Sequence, residues 1–231
     1  MGADQVSVIK SRVGLMSFML MLLALWGCAS TPRGTGPVTW QCDARGDAAV
    51  NNGDWQEALR LHEDFLAAHP DNCLTLYHLG YIWGRLGDHA KEIGYYERAA
   101  ACGYDGDDQL YFNLGMAYGE TDQMGKAIAA FQRAVALAPE NADDWFGLGL
   151  TARSADRPDL ARQAFTRALA VDPRLWDARI ELARLDLDQG LLDAARTQLE
   201  AVEKGAPDNE ELPGLWRMYH DRLATRFEPR K

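Results

Sequence analysis

Residues 142–175 read ADDWFGLGLTARSADRPDLARQAFTRALAVDPRL and carry the clearest signal of the fold. The proline near its end, Pro173, lies 34 residues after Pro139 and 34 residues before Pro207. A fixed period of this length is typical of an array of repeated helical hairpins, in which no unit buries its apolar face alone.

The residue types inside this period resemble those of the tetratricopeptide repeat family. The family's positions 4, 7, 8, 20, 24, 27 and 32 are held in the quoted stretch by Trp145, Leu148, Gly149, Ala161, Phe165, Ala168 and Pro173. The same period divides the chain into five repeats, 39–72, 73–107, 108–141, 142–175 and 176–209. The resemblance implies an all-α fold: a right-handed superhelix of about five hairpins, each made of a helix A and a helix B, plus a C-terminal capping helix.

Packing explains the residue types at these positions. Small residues at positions 8 and 20 let the two helices of a hairpin approach closely, and large residues at 4, 11 and 24 interlock between hairpins. The proline near the end of a repeat stops helix B. Two repeats depart from the pattern, because Glu92 stands where a small residue is usual and Arg45 stands where leucine belongs.

The segment 210–231 follows the last repeat. Its apolar residues have the i, i+3, i+4, i+7 spacing of one amphipathic helix. They are Leu212, Leu215, Trp216, Tyr219, Leu223 and Phe227. We predict a capping helix and tail that cover the final hairpin; the alternative is that the apolar face of this helix docks a partner.

The N-terminal residues 1–27 resemble a lipoprotein signal peptide. Lys10 and Arg12 precede an uncharged run over residues 13–26, which at 14 residues is shorter than the roughly 20 that a membrane-spanning helix needs. The run ends in Leu-Trp-Gly-Cys, which is similar to a bacterial lipobox and implies lipidation of Cys28, although Trp26 is larger than the family's usual residue. An ordinary cleaved signal and an uncleaved anchor are the alternatives.

The residues after the lipobox indicate where the chain is expected to reside. Ala29 follows Cys28, which by resemblance to enterobacterial sorting favours a lipid anchor in the outer membrane, facing the periplasm. Residues 28–38 are rich in Pro, Gly, Ser and Thr and are predicted to form a flexible tether. Acyl chains buried in lipid supply the binding energy of such an anchor.

Composition and motifs argue against several classes of function. The formal net charge of −10 does not suit nucleic acid, whose phosphates need a basic surface. We find no catalytic motif, and no metal-ligand spacing among His62, His69, His78, His89 and His220. The acidic DGDD at 105–108 lacks the frame of a calcium loop and reads as a helix start. We therefore expect no enzyme activity, cofactor, metal or small-molecule substrate.

Three cysteines remain after Cys28, and disulfides persist in an exported protein. The tetratricopeptide frame places Cys73 at the start of helix A and Cys102 at the end of helix B of one repeat. Because antiparallel helices bring these ends side by side, Cys73–Cys102 is the preferred pairing. A Cys42–Cys73 bridge and three reduced thiols are the alternatives, and with an odd number at least one thiol stays outside a disulfide.

In this family the A helices line a concave groove that binds peptide segments of protein clients. The groove positions are held by Tyr77, His78, Tyr81, Arg85, Phe112, Asn113, Met116, Phe146, Leu150, Arg153, Ile180 and Arg184, with Glu120, Asp177 and Glu181 beside them. Position 9 is usually polar, yet it holds Tyr81, Met116 and Leu150 in consecutive repeats, which indicates a partly hydrophobic stripe. The alternative is that superhelical curvature buries this stripe.

These features predict a non-enzymatic, protein-binding scaffold. Short tetratricopeptide lipoproteins resemble the pilotins that assist secretin assembly in type IV pili, and accessory lipoproteins of motility machines. The first hypothesis is therefore assembly of an envelope machine, with an envelope protein that carries an apolar segment as the client. The alternative is a periplasmic adaptor that docks a peptidoglycan hydrolase or protease.

Overall fold

The computed structural model describes residues 41–226, which fold into eleven α-helices and no strand. The helices are α1 (Ala44–Asn52), α2 (Trp55–Ala68), α3 (Cys73–Arg85), α4 (His89–Cys102), α5 (Asp108–Glu120), α6 (Met124–Leu137), α7 (Ala142–Ser154), α8 (Pro158–Val171), α9 (Trp176–Asp188), α10 (Leu192–Gly205) and α11 (Leu212–Arg226). The predicted all-α fold is confirmed. The predicted signal peptide, Cys28 and almost all of the residues before α1 lie outside the described residues. No described helix has both the length and the apolar composition that crossing a bilayer requires.

The chain divides into two compact modules, each built from antiparallel hairpins. The N-terminal module lies within Met1–Leu137 and contains the hairpins α1–α2, α3–α4 and α5–α6. The C-terminal module lies within Ala138–Lys231 and contains α7–α8, α9–α10 and the final helix α11. In both modules helix B of one hairpin also packs on helix A of the next, as α2 does on α3 and α8 on α9.

The small residue at position 8 of each repeat faces the large residue at position 24. A methyl group on Gly80 would lie 2.5 Å from the Tyr96 ring, and one on Gly115 would lie 2.8 Å from the Phe131 ring. These contacts are too short for a side chain, so only glycine lets the ring lie flat on helix A at these two places. The aromatic rings are almost fully buried there.

The turn between helix A and helix B passes through the left-handed region in all five described hairpins. The residue is glycine in three repeats and aspartate in two, at Gly53 (φ 77°), Gly87 (81°), Asp122 (59°), Asp156 (55°) and Gly190 (71°). Glycine adopts this conformation without strain, and aspartate tolerates it better than most other residues. The turns therefore keep the same backbone conformation even though their residue type differs between repeats.

Glu92 replaces the small residue expected at position 20 of the second repeat, and Gly84 makes room for it. A methyl group on Gly84 would lie 2.5 Å from Glu92 Oε1. The Glu92 carboxylate also lies 2.8 Å from His89 Nδ1. Burial raises the pKa of Glu92 even though His89 acts to lower it. A large polar side chain is thus accommodated by a second glycine on the facing helix.

The two ends of the α3–α4 hairpin are joined covalently. Cys73 begins α3, Cys102 ends α4, and their sulfur atoms form a disulfide with the Cα atoms 5.5 Å apart. Closing a loop of this length stabilises a fold by about 3 kcal/mol in the chain-entropy description. This disulfide braces the repeat that carries Glu92 and lacks a closing proline.

Helix α11 covers the last hairpin, which confirms the predicted capping helix. Leu212, Leu215 and Tyr219 are buried against α9 and α10, in one cluster with Ile180 and Leu199. The apolar face of α11 is therefore used inside the C-terminal module. Little of this apolar surface is left for the alternative, in which the same face docks a partner.

Candidate protein-binding surface

The predicted groove residues of the N-terminal module lie on two neighbouring A helices, α3 and α5. Tyr77, Tyr81, Asn113 and Met116 are all partly exposed there, and we call this surface the α3/α5 face. Asn113 Nδ2 donates to the Tyr77 hydroxyl at 3.2 Å and ties the two helices together. Burial raises the pKa of Tyr77 above its ordinary value, so the hydroxyl stays neutral.

Aromatic rings support the α3/α5 face from below. The Tyr77 ring lies 5.1 Å from the Tyr104 ring, and the Phe112 ring lies 5.6 Å edge-on to the Phe131 ring. Such pairs are worth about 0.5–1.5 kcal/mol beyond the area they bury. The tyrosines of the face thus lie on a packed layer of aromatic rings.

One end of the face carries a cluster of a tryptophan, a tyrosine and an arginine. The Trp55 ring at the start of α2 lies 6.1 Å edge-on from the Tyr81 ring, and the Arg85 guanidinium lies 5.0 Å above Trp55. The Arg85 side chain is exposed, whereas Trp55 and Tyr81 are partly exposed. Trp, Tyr and Arg are the residue types enriched at the energetic centres of protein interfaces.

Trp55 was not among the residues predicted from the sequence. It begins helix B of the first repeat, whereas the groove positions were assigned only to A helices. Because α2 and α3 pack against each other in opposite directions, the start of α2 meets the end of α3. The Gly53-Asp54 turn just before Trp55 was the available signal, since it fixes where helix B begins.

His78 differs from the other predicted groove residues of this module. Its Nδ1 lies 3.1 Å from Asp47 Oδ1, so its ring is directed at helix α1. The buried His62 ring of α2 lies 5.0 Å from the His78 ring. The structure therefore brings together two histidines that are 16 residues apart and share no ligand spacing in the sequence.

The predicted groove residues of the C-terminal module are mostly buried or ion-paired. Phe146 and Leu150 are each 2% exposed and Ile180 is 0% exposed, so their side chains offer almost no surface to a client. Ile180 is covered by α11, and the Phe146 ring packs 5.9 Å from Phe165. Among the described residues only Leu191 is a large apolar side chain that is exposed.

Charged side chains dominate the corresponding A-helix positions of this module. Glu181, 1% exposed, pairs with Arg153 at 2.8 Å and lies 3.7 Å from Arg184. Arg184 also pairs with Glu211, which precedes α11. The position-9 stripe is therefore partly exposed at Tyr81 and Met116 and buried at Leu150, and a binding role for the groove residues stays a prediction.

Comparisons with curated proteins give partial relatives. The chain is 29% identical over 168 residues to the tetratricopeptide repeat domain-containing protein PYG7, chloroplastic, of Arabidopsis thaliana, covering 71% of this chain and 52% of that protein. It is 28% identical over 109 residues to the peroxisomal targeting signal receptor of Kluyveromyces lactis, covering 47% of this chain and 19% of that protein. The chain thus spans about half of the first relative and about a fifth of the second.

Solved structures share the hairpin array. A crystal structure of MamA is 28% identical with a TM-score of 0.65 and covers 72% of this chain and 99% of that one. PilF of Pseudomonas aeruginosa has a TM-score of 0.64 at 18% identity, with 78% of this chain and 85% of that one covered. YrrB, described as a TPR protein with an unusual peptide-binding site, has a TM-score of 0.57 at 17% identity, with 71% and 92% covered. The last two likenesses concern the fold alone.

Two family models match the repeated part of the chain. Residues 44–107 and 112–173 match one tetratricopeptide repeat model, and residues 152–215 match another. The matched residues make up more than half of the chain, and the chain belongs to the tetratricopeptide repeat family.

Proposed function

We propose that this protein is a lipid-anchored scaffold of the bacterial outer membrane that faces the periplasm and assists the assembly of an envelope machine, such as the type IV pilus secretin. Tetratricopeptide repeat domains bind protein partners, and the family models that match this chain are models of this repeat. The client is an envelope protein that presents an apolar or aromatic segment.

The observation that carries the proposal is the aromatic α3/α5 face with its Trp55–Tyr81–Arg85 cluster. Rings that are partly exposed and already packed lose little conformational freedom when a client binds. The chain has a formal net charge of −10, which favours a client segment with basic flanks.

The membrane anchor rests on the sequence around Cys28. A thioether-linked lipid together with an acylated amine supplies several buried acyl chains, enough for stable anchoring. The substitution Cys28→Ser should release the protein from the membrane fraction. Retention of the Cys28→Ser variant in washed outer membranes would contradict the lipoprotein assignment.

The client face is tested by a double substitution, Tyr81→Lys with Met116→Lys, in the native host. We expect loss of secretin multimers from outer membranes, with the protein still folded and membrane-bound. The matched control is Tyr95→Lys, because Tyr95 is a partly exposed tyrosine on helix B α4 of the same module, beneath Arg98. Normal multimers in the double variant would reject the α3/α5 face.

A deletion strain separates the two functions considered. Unchanged secretin multimers and normal pili after deletion would overturn the pilotin proposal. If deletion instead causes a soluble periplasmic hydrolase or protease to lose its localisation, the adaptor function would replace the pilotin proposal.

A further inference from the structure

Four side chains with metal-binding atoms converge on the first hairpin. Cys42 precedes α1, Asp47 lies in the first turn of α1, His62 lies in α2 and His78 lies in α3. The Cys42 thiol donates to Asp47 Oδ2 at 2.8 Å. Asp47 Oδ1 is 3.1 Å from His78 Nδ1 and 3.6 Å from His62 Nε2. The donor atoms of Cys42, Asp47 and His78 all lie within 4.8 Å of one another.

His62 occupies a position that holds an apolar or aromatic core residue in the other repeats. It is position 24 of the first repeat, facing Gly46 at position 8. The corresponding residues of the other four repeats are Tyr96, Phe131, Phe165 and Leu199. A phenylalanine or leucine there needs no hydrogen bond, whereas an imidazole brings two polar nitrogens into the core.

Neither ring nitrogen of His62 has a hydrogen-bond partner, although the side chain is 0% exposed. A buried polar group without a partner destabilises a fold by about 1–3 kcal/mol. The Nε2 atom is directed at the Asp47 carboxylate, beside His78. A metal ion beside Asp47 would supply a partner for Nε2.

We infer that Cys42, Asp47, His62 and His78 form a binding site for one divalent transition-metal ion, Zn²⁺ by the chemistry of its donors. Thiolate, carboxylate and imidazole are the side chains that coordinate Zn²⁺, and four of them make a closed tetrahedral site. A thiolate and a carboxylate also balance the charge of the ion.

The separations from the Asp47 carboxylate to the two imidazoles are close to those of such a site. Donors bound to Zn²⁺ at about 2.0–2.3 Å in a tetrahedron lie roughly 3.3–3.7 Å apart. The 3.1 and 3.6 Å separations between Asp47 Oδ1 and the two imidazole nitrogens differ from that range by 0.2 Å or less. Asp47 and His78 are 30% and 23% exposed, which leaves a path for the ion from solvent.

The protonation states also suit coordination. Burial, reinforced by the neighbouring His78, lowers the pKa of His62 to about 4, so its imidazole is neutral at neutral pH. Burial acts to raise the pKa of Asp47, but the contacts with His78 and Cys42 lower it overall. A neutral imidazole and an ionised carboxylate are the forms that bind metals.

The site would connect three helices of the least regular repeat and its neighbour. Asp47, His62 and His78 come from α1, α2 and α3, and the first repeat carries Arg45 where leucine belongs. A bound ion would therefore fasten the first hairpin to the second. This departs from the expectation of no metal, which rested on linear spacing alone.

Titration of the full chain, stripped with a chelator, with Co²⁺ as a spectroscopic probe and with Zn²⁺ tests the site. We expect one ion per chain, with thiolate-to-cobalt charge transfer and the intense visible bands of tetrahedral coordination. Zn²⁺ should displace Co²⁺ and raise the Tm. Cys42→Ser should abolish the charge-transfer band, and His62→Phe should abolish saturable binding while restoring the core residue of the other repeats.

His89→Phe is the matched control, because His89 also contacts a carboxylate in a hairpin of the same module. The titration is repeated in the Cys73→Ser, Cys102→Ser chain, so that thiols freed by reduction cannot supply the signal. Absence of binding, or a spectrum unchanged by both Cys42→Ser and His62→Phe, would overturn the inference.

Discussion

The A-helix faces of the two modules share one repeat register but differ in exposure and in charge pairing. In the N-terminal module, positions 5 and 9 present Tyr77, Tyr81 and Met116 as a partly exposed aromatic surface. In the C-terminal module the same face is closed by Phe146 and Leu150 and by ion pairs around Glu181. The register therefore fixes the position of a side chain on its helix, and the packing of neighbouring helices decides whether that side chain is exposed or buried.

The modules are also braced differently. The N-terminal module has the Cys73–Cys102 disulfide, whereas the C-terminal module has the buried Arg153–Glu181 and Arg162–Asp186 pairs. A covalent link acts mainly on the unfolded chain, and a buried ion pair acts on the folded one. We therefore expect removal of the disulfide to destabilise the N-terminal module, and removal of a buried charge to destabilise the C-terminal module.

Removal of the disulfide should have the largest effect. We expect Cys73→Ser with Cys102→Ser to lower the free energy of unfolding of the N-terminal module by about 3 kcal/mol. Hydrogen exchange read peptide by peptide in increasing urea measures this, with Cys42→Ser in chelator as the control. An equal loss of protection in the C-terminal module would contradict the prediction that the disulfide stabilises the N-terminal module alone.

Removal of the buried carboxylate in the C-terminal module should come next. Glu181→Ala removes the carboxylate that pairs with Arg153 and lies near Arg184. We expect the free energy of unfolding to fall by about 2–3 kcal/mol. Met116→Ala, at a partly exposed position of the aromatic face, should lose only about 1 kcal/mol. Urea unfolding of both variants gives the comparison, and similar losses would mean that the two faces do not differ in structural role.

Tryptophan substitutions should separate the modules by binding rather than by stability. Trp55→Ala is expected to weaken client binding at least tenfold, about 1.4 kcal/mol, because it removes the ring between Tyr81 and Arg85. Trp145→Ala is the control from the C-terminal module, where the indole N–H donates to the Pro139 carbonyl at 2.9 Å. Calorimetry with the purified client measures both, and equal weakening would place the binding surface elsewhere.

An exposed ion pair should have the smallest effect. Arg60 contacts Glu57 and Asp64 on the surface of α2, and its side chain is 57% exposed. Arg60→Ala should leave the free energy of unfolding almost unchanged, because water screens an exposed ion pair. A loss as large as that of Glu181→Ala would show that burial is not what distinguishes the ion pairs.

The sequence predicts the fold well because the repeat signal is local and periodic. Gly115 and Phe131 keep a fixed separation whose contact is repeated in the neighbouring hairpin, and Pro139 recurs with the period. The cap was likewise visible as an amphipathic helix. Each of these features is set within one hairpin or its direct neighbour.

The candidate protein-binding surface and the metal site are harder to predict from the sequence, because both depend on contacts between helices. Leu150 occupies the same position as Tyr81 yet is buried, and Ile180 is covered by a helix outside the repeat pattern. His62 and His78 approach each other only because α2 packs on α3. No linear spacing encodes those approaches.

We propose that a protein client binds the α3/α5 face of the N-terminal module. The most direct test of this proposal is light-induced crosslinking in living cells from a benzoyl-phenylalanine placed at Tyr81, compared with the same residue placed at Tyr95 and at Trp145. We expect one abundant adduct from position 81, identified by mass spectrometry as a secretin, and none from positions 95 and 145. Equal adducts from all three positions, or adducts only from position 145, would contradict it.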